Sequence, residues 1–178
     1  MKKMDKFQNK YRIPSARLQH WDYRWAGAYF ITICTQHRIH YFGDIENGKM
    51  ILSNVGVLAD VFWYEIKNHA QNVELGAFVV MPNHVHGVLI LTGNDVETGH
   101  ALSPRQQRFQ NIGKNSVSSI IGSYKSAVTK HAHRLGFEFE WQTRFRDHII
   151  RDGASFQKIS NYIINNPVNW QEVKFFNE

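Results

Sequence analysis

The chain has 178 residues, of which 43% are hydrophobic, and a formal net charge of +6. This length and apolar content predict one domain spanning residues 1–178 with a buried core, and they exclude a wholly disordered chain. The one cysteine, Cys34, excludes an intramolecular disulfide and a cysteine-based zinc site. The basic start leads into no apolar segment, and no apolar run approaches the ~20 residues of a membrane span. We therefore expect a soluble cytoplasmic protein without a membrane partner.

Positive charge is concentrated in two parts of the sequence. Residues 1–24 have a net charge of +5, residues 25–100 of −4 and residues 101–158 of +6. Such segregation favours a polyanionic partner, with nucleic acid as the first candidate, and an ordinary solvated basic surface is the alternative.

The first half of the sequence predicts three strands, a hairpin and a helix after a basic arm at 1–24. Residues 27–35 are rich in aromatic and β-branched side chains, which predicts a strand, and residues 41–52 predict a hairpin turning at Asn47-Gly48. A helix follows, capped by Ser53 or Asn54, and two strands at about 75–81 and 84–91 are separated by Pro82-Asn83. The apolar stripe predicted for this helix consists of Leu58, Val61, Phe62 and Ile66.

The second half predicts two helices around one further strand. After a long loop at 92–114, a helix covers about 116–134 and ends at Gly136, a strand covers 139–150, and a last helix covers about 155–165. The apolar stripe of the first of these helices is Val117, Ile120, Ile121, Tyr124, Val128 and Leu135. Without the hairpin and the last helix, the order is βαββαβ. We therefore predict an α+β, ferredoxin-like antiparallel sheet with two helices on one face, the other face open, and an additional C-terminal helix.

His84-Val85-His86 lies in a strand-like stretch, where alternation directs both imidazoles to one face. Two neighbouring imidazoles favour a bound divalent metal, and a chance pair on a solvated strand is the alternative. On the last helix, Tyr162 and Asn166 are four residues apart, so they lie on nearly the same face. A phenol is a poor nucleophile at neutral pH, so attack by Tyr162 on a phosphodiester requires help of the kind a metal supplies. Plain packing is the alternative for Tyr162, and an ordinary helix end before Pro167 is the alternative for Asn166.

Three motifs resemble a known family. VMPNHVHG at 80–87 is similar to the histidine–hydrophobe–histidine motif of single-tyrosine transposases, and WQxxFxDHxIR at 141–151 and NYIINNPV at 161–168 resemble the C-terminal signature of REP-associated tyrosine transposases. The resemblance implies a ferredoxin-like fold that binds single-stranded DNA hairpins. It also implies cleavage and rejoining with Mg²⁺ or Mn²⁺ through a 5′-phosphotyrosine, by a monomer or a homodimer.

The resemblance also implies roles for individual residues. His84 and His86 become metal ligands, Tyr162 the nucleophile, and Asn166 the third ligand, at a position that is typically Gln in the better-known insertion-sequence enzymes. His148 would orient the phosphate or the tyrosine, or hydrogen-bond inside the fold. The candidates for DNA contacts are Arg144, Arg146, Arg151, Lys6, Lys10, Arg12, Arg105 and Arg108.

Several alternatives stay open at this point. Tyr124 is a rival nucleophile, although it falls on an apolar helix stripe, and Trp141 could stack on a base or pack in the core. The alternative functions are a non-catalytic hairpin DNA- or RNA-binding protein, a replication-initiator-type nickase and, last, a metal-dependent hydrolase.

Overall fold

The structure is a computed structural model that describes residues 25–70, 72–92 and 116–170. The arm, nearly all of the long loop, and with them Lys6, Lys10, Arg12, Arg105 and Arg108 lie outside the described residues. The elements are β1 (Gly27–Cys34), β2 (Gly43–Glu46), β3 (Lys49–Leu52), α1 (Asn54–His69), β4 (Val73–Met81), β5 (His84–Leu91), α2 (Val117–Arg134), β6 (Arg146–Ile150) and α3 (Gly153–Ile164). No helix in these ranges is both long and apolar enough to span a membrane.

The main sheet has the strand order β4-β5-β1-β6, and all its neighbouring strands are antiparallel. When the separate β2–β3 hairpin is set aside, α1 follows β1 and α2 follows β5, which is the βαββαβ arrangement. The predicted ferredoxin-like fold class is therefore confirmed. The predicted hairpin is also confirmed: β2 and β3 pair separately, and the turn residues Asn47 and Gly48 have φ values of 50° and 73°. Asn-Gly suits such a turn because both residues tolerate the left-handed conformation.

The two faces of the sheet are covered differently. On one face, α1 and α2 enclose the large core, which includes Tyr29, Ile31 and Val85. On the other face, Phe156, Ile159 and Ile163 of α3 pack in a smaller cluster with Val88 and Ile150. The expectation that this second face is open is therefore wrong for the side formed by β4, because α3 covers it. It holds for the side formed by β6, where Arg146 and His148 are exposed.

Two local predictions are wrong. The strand expected at 139–150 is only Arg146–Ile150; before it, Trp141 forms an isolated bridge with Thr35, and the aromatic residues there fill the edge of the core. Trp141 packs against Phe42 and Phe139 there, and its Nε1 donates a hydrogen bond to the carbonyl of Lys125. Of the two alternatives for Trp141, packing in the core is therefore the one the structure supports.

The second error concerns which faces of the helices are buried. The buried side of α1 is formed by Val55, Gly56, Ala59, Trp63 and Ile66, while Val61 is 48% exposed. The other three residues of the predicted stripe, Leu58, Phe62 and Ile66, do pack against the core. The prediction misses Trp63, which is fully buried and stacks on Phe78 at 4.5 Å. Leu135 is 61% exposed, since α2 ends one residue earlier and Gly136 turns the chain away with a φ of 82°.

Candidate active site

Strand pairing places the predicted histidines in rows that cross the sheet. Thr32 of β1 lies opposite His86 of β5 and Arg146 of β6, and Cys34 lies opposite His84. Directly paired residues have their side chains on the same face, so these rows share the α3 face of the sheet. The rows line a pocket of about 380 Å³, whose lining residues are Phe30, Thr32, Cys34, Arg38, His84, His86, Arg146, Asp147, His148 and Tyr162.

The two imidazoles are buried and held by their neighbours. Their ring centroids are 4.5 Å apart, and His84 and His86 are only 1% and 6% exposed. Nδ1 of His84 donates to Oδ1 of Asn83 at 2.8 Å, while Nδ1 of His86 lies 2.9 Å from Oγ1 of Thr32. Because Nδ1 is engaged in both rings, Nε2 is the nitrogen that can ligate a metal, which is the usual arrangement of ligating histidines.

Burial also sets the charge state of this pair. It lowers the pKa of His86 from 6.5 to about 4; the charge of Arg38 acts in the same direction, and a hydrogen bond with the backbone of Ile31 opposes it. Burial, the neighbouring His86 and Arg38 lower the pKa of His84 well below 6.5. Both imidazoles are therefore neutral at pH 7, which is the form that binds metal.

The remaining ligands of a metal would have to be oxygens. Among the residues the structure describes, no group of three His, Cys, Asp or Glu side chains could hold a metal ion. The pair therefore fits a divalent cation whose other ligands are amide, phosphate or water oxygens. Asn166 is 9% exposed, lies two residues beyond the last residue of α3, and donates its backbone N–H to the carbonyl of Ile163 at 3.3 Å. Its side chain is not among those that line the pocket.

Tyr162 brings a phenol to the same pocket. Its ring centroid lies 5.5 Å from that of His86 and 6.2 Å from that of Phe30, and the residue is 49% exposed. The helix that carries it begins at a capped end, where Oδ1 of Asp152 accepts a hydrogen bond from the backbone N–H of Ser155 at 2.7 Å. The apolar side of α3 is packed on the sheet, so the exposed phenol is held at the edge of this packing, beside the imidazoles.

Tyr124, the rival nucleophile, lies in the core. It is 2% exposed, its hydroxyl donates to the carbonyl of Ala59 at 2.9 Å, and burial raises its pKa well above 10. A phenol that is buried, hydrogen-bonded and difficult to ionise cannot attack a polymer substrate.

The predicted basic residues divide into two groups. Arg146 and His148 line the pocket and share one face of β6, as their alternation predicts. Arg144 and Arg151 are exposed on either side of β6 and do not line the pocket.

Besides Thr32 and Phe30, three further residues near the imidazoles were not predicted from the sequence. Arg38 lines the pocket from the turn after β1, Asn83 hydrogen-bonds to His84, and the ring of Trp170 lies 5.9 Å from that of His84. For Asn83 a signal existed, because a residue next to a ligating histidine can orient it. Neither Arg38 nor Trp170 belongs to a periodic pattern that the sequence displays.

Comparison with known proteins gives one close relative and one fold. No family model matches the sequence. A protein of Haemophilus influenzae described as uncharacterised is 35% identical over 167 residues, which cover 91% of this chain and 92% of the relative. The two proteins belong to one family. The alignment covers nearly the full length of both sequences, so the likeness is not confined to one motif.

The fold of this family has a solved counterpart. The structure of a REP-associated tyrosine transposase bound to a REP hairpin matches with a TM-score of 0.59 and 21% identity, covering 88% of this chain and 74% of that chain. At this identity the likeness shows the fold, so the chain has the fold of a REP-associated tyrosine transposase. The resemblance that the three motifs indicate is confirmed at this level.

Proposed function

We propose that this protein cleaves and rejoins hairpin-bearing single-stranded DNA through a 5′-phosphotyrosine at Tyr162. The observation that carries the proposal is one pocket that contains two buried, neutral imidazoles and, 5.5 Å from one of them, an exposed phenol. The fold shared with a transposase that binds a REP hairpin supports the nature of the substrate.

Nε2 of His84 and of His86 would hold Mg²⁺ or Mn²⁺, and nitrogen ligands favour Mn²⁺ of the two. We propose Asn166 as the third ligand, on the strength of the motif, since its side chain does not line the pocket. When bound, the cation would supply Lewis-acid stabilisation of the charge on the phosphate oxygens.

The bond changes are carried by Tyr162. Its Oη forms a bond to phosphorus, the bond from phosphorus to the 3′ oxygen breaks, the phenolic proton passes to solvent, and the leaving 3′ oxygen takes up a proton. Contacts with Phe30 and His86 hold the phenol in place, and its exposure leaves room for a DNA backbone. Because the phosphodiester energy is kept in the phosphotyrosine link, a 3′ hydroxyl can reverse the reaction without nucleotide hydrolysis.

Positive charge on β6 would hold the DNA. Arg146 and His148 line the pocket and would contact the scissile and neighbouring phosphates, while the exposed Arg144 and Arg151 would contact the backbone on either side. Such contacts fix the position of the strand and carry no sequence information themselves.

A non-catalytic hairpin-binding protein is the second candidate. It is favoured by the lack, within the described residues, of a third His, Cys, Asp or Glu that completes a metal site. Such a protein would use the same pocket and basic residues to bind the hairpin without forming a covalent link.

The test incubates the protein with labelled hairpin-bearing single-stranded DNA from its own flanking region, with Mn²⁺ or Mg²⁺. A denaturing protein gel then compares wild type, Tyr162→Phe, His84→Ala and Tyr124→Phe. We expect a metal-dependent covalent adduct that is lost in Tyr162→Phe and His84→Ala and retained in Tyr124→Phe, because Tyr124 is buried in the core. Binding without an adduct under any metal would refute the phosphotyrosine mechanism and favour the second candidate, and an adduct without rejoining would indicate a nickase.

The same variants test whether Tyr162 acts within its own chain. Since its ring contacts His86 of the same chain, we expect action in cis. A mixture of Tyr162→Phe and His84→Ala should then stay inactive, whereas restored activity would show that the tyrosine serves a second copy.

A further inference from the structure

Arg38 lies in a strained turn between β1 and the hairpin. The turn covers Gln36–Arg38, and both His37, with a φ of 51°, and Arg38, with a φ of 58°, have the left-handed backbone conformation. This conformation costs roughly 1–2 kcal/mol for a residue with a Cβ atom. Two such residues in succession without a glycine indicate a conformation kept for a function.

The turn is anchored to the residue that also orients His84. The backbone N–H and the hydroxyl of Thr35 both donate to the carbonyl of Asn83, at 2.9 and 3.0 Å. The hydroxyl has one proton, which it shares between the carbonyl of Asn83 and that of Ile39, 2.8 Å away, and this shared hydrogen bond closes the turn around Arg38. Because Oδ1 of Asn83 accepts from His84, one residue fixes both the imidazole and the turn.

The charge of Arg38 acts on the imidazole pair. Arg38 lines the pocket together with Tyr162, His84 and His86, so its positive charge lies close to the two imidazoles. Arg146 lines the same pocket from β6. A cation next to two neutral metal ligands opposes metal binding unless an anion lies between the two positive charges. A phosphate group of the substrate is an anion that both charges can share.

We propose that Arg38 is a catalytic residue whose guanidinium binds a non-bridging oxygen of the scissile phosphate. The proposal rests on the function proposed above and assigns one more group to that reaction. While the bond from Oη of Tyr162 to phosphorus forms and the bond to the 3′ oxygen breaks, the phosphate oxygens gain negative charge. Arg38 keeps its proton throughout and stabilises that charge, a role for which a planar guanidinium is better suited than an ammonium group.

The test uses the full chain with Arg38→Gly, Arg38→Lys and Arg134→Gln. Glycine removes the guanidinium and at the same time tolerates the left-handed backbone, so the variant is expected to fold. Arg134→Gln is the matched control for net charge, because Arg134 is exposed in the last turn of α2, away from the pocket. Mn²⁺ affinity is measured by electron paramagnetic resonance of the free ion, and adduct formation is measured on hairpin DNA.

Arg38→Gly is expected to raise the Mn²⁺ affinity and to lower the rate of adduct formation. Arg38→Gly should bind Mn²⁺ roughly three- to tenfold tighter, because a nearby positive charge is gone. It should form the adduct at least about 100-fold more slowly, because the phosphate loses its guanidinium. Arg38→Lys should keep the wild-type Mn²⁺ affinity and part of the activity, and Arg134→Gln should match wild type in both measurements.

Two results would overturn the proposal. The first is adduct formation by Arg38→Gly within about fivefold of wild type. The second is a fall in Mn²⁺ affinity together with activity, since Arg38 would then support the shape of the pocket instead of binding phosphate. If wild type forms no adduct at all, the proposed function fails. The affinity of wild type and of Arg38→Gly for inorganic phosphate then tests whether Arg38 binds a phosphate group. Phosphate binding to wild type that is about tenfold tighter than to Arg38→Gly supports the proposal, and equal or undetectable binding to the two overturns it.

Discussion

Substitution of Gly87 by alanine should destabilise the fold from a position directly next to the imidazole pair. Gly87 follows His86 on β5, and a Cβ atom there would lie 2.2 Å from Cζ2 and 2.6 Å from Cη2 of Trp63. Carbon atoms prefer separations of about 3.5–4.0 Å, so the indole or the strand would have to move by more than about 1 Å. Trp63 cannot yield easily, because it is fully buried and stacked on Phe78 at 4.5 Å. We expect the free energy of unfolding to fall by about 3 kcal/mol, at the upper end of the usual cost of overpacking.

A second substitution identifies the clash as the cause. Trp63→Phe removes the ring atoms that the new methyl group meets, so it should relieve Gly87→Ala even though it leaves a small cavity of its own. The double variant should therefore be more stable than the sum of the two single effects predicts, by at least about 1 kcal/mol. Gly122→Ala is the matched control, because a Cβ atom at Gly122 of α2 meets nothing within 4 Å. That substitution should be neutral or should stabilise the helix by up to about 1 kcal/mol.

Urea unfolding of the four variants and wild type measures these energies, with Mn²⁺ affinity as a second observable. Because any shift of β5 at Gly87 displaces His86, we expect Gly87→Ala to weaken Mn²⁺ binding as well. A loss of less than about 1 kcal/mol for Gly87→Ala, or simple additivity in the double variant, would refute the reasoning.

Three further predictions concern the pocket. The pKa of His86 is about 4 in the folded chain and 6.5 in the unfolded chain, so the unfolded chain takes up the proton first. Up to about 3 kcal/mol of stability, present above pH 6.5, is therefore lost as pH falls to 4, and His84 acts in the same direction. Urea unfolding across this pH range should show the loss of stability, and His86→Asn should reduce it. If the free energy of unfolding of His86→Asn falls with pH as steeply as that of wild type, the lowered pKa is not that of His86. Asn83→Ala should weaken Mn²⁺ binding about 10- to 100-fold, because His84 loses the acceptor that orients it. Titration with Mn²⁺ checks this, and an unchanged affinity speaks against that role. Arg38→Gly should leave the free energy of unfolding within about 1 kcal/mol of wild type, as relief of backbone strain offsets the greater freedom of glycine in the unfolded chain. A larger loss in urea would show that the turn needs the arginine.

The order of strands and helices along the chain could be predicted because it depends on local signals. Alternation in Gly27–Cys34 and His84–Leu91, the Asn47-Gly48 turn and the break at Pro82-Asn83 each have a direct backbone consequence. For α1 the prediction is correct for Leu58, Phe62 and Ile66, but it includes the exposed Val61 and misses Trp63. Two neighbouring stripes of that helix are both apolar, and the choice between them is made by the fit of Trp63 against Gly87 on a strand far along the chain.

The same distinction applies to the candidate site. His84, His86 and Tyr162 could be proposed because the pair has the spacing of one strand face and the tyrosine lies on a short amphipathic helix. Arg38 could not, because it depends on a strained turn that is held by the contact of Thr35 with Asn83, 48 positions later in the chain. No periodicity encodes such a contact.

The two faces of β5 explain how one strand can serve both stability and chemistry. Val85 and Gly87 point to the helices and fix the strand against the core, while His84 and His86 point to the pocket. Packing on the first face holds the imidazoles of the second in one position, and their burial keeps them neutral. Tyr162 is instead exposed at the edge of the α3 packing, which the role of nucleophile proposed for it requires, because a polymer substrate has to reach the phenol. The proposed reaction needs buried metal ligands and an exposed attacking group, and a sheet with a helix over only part of one face can provide both.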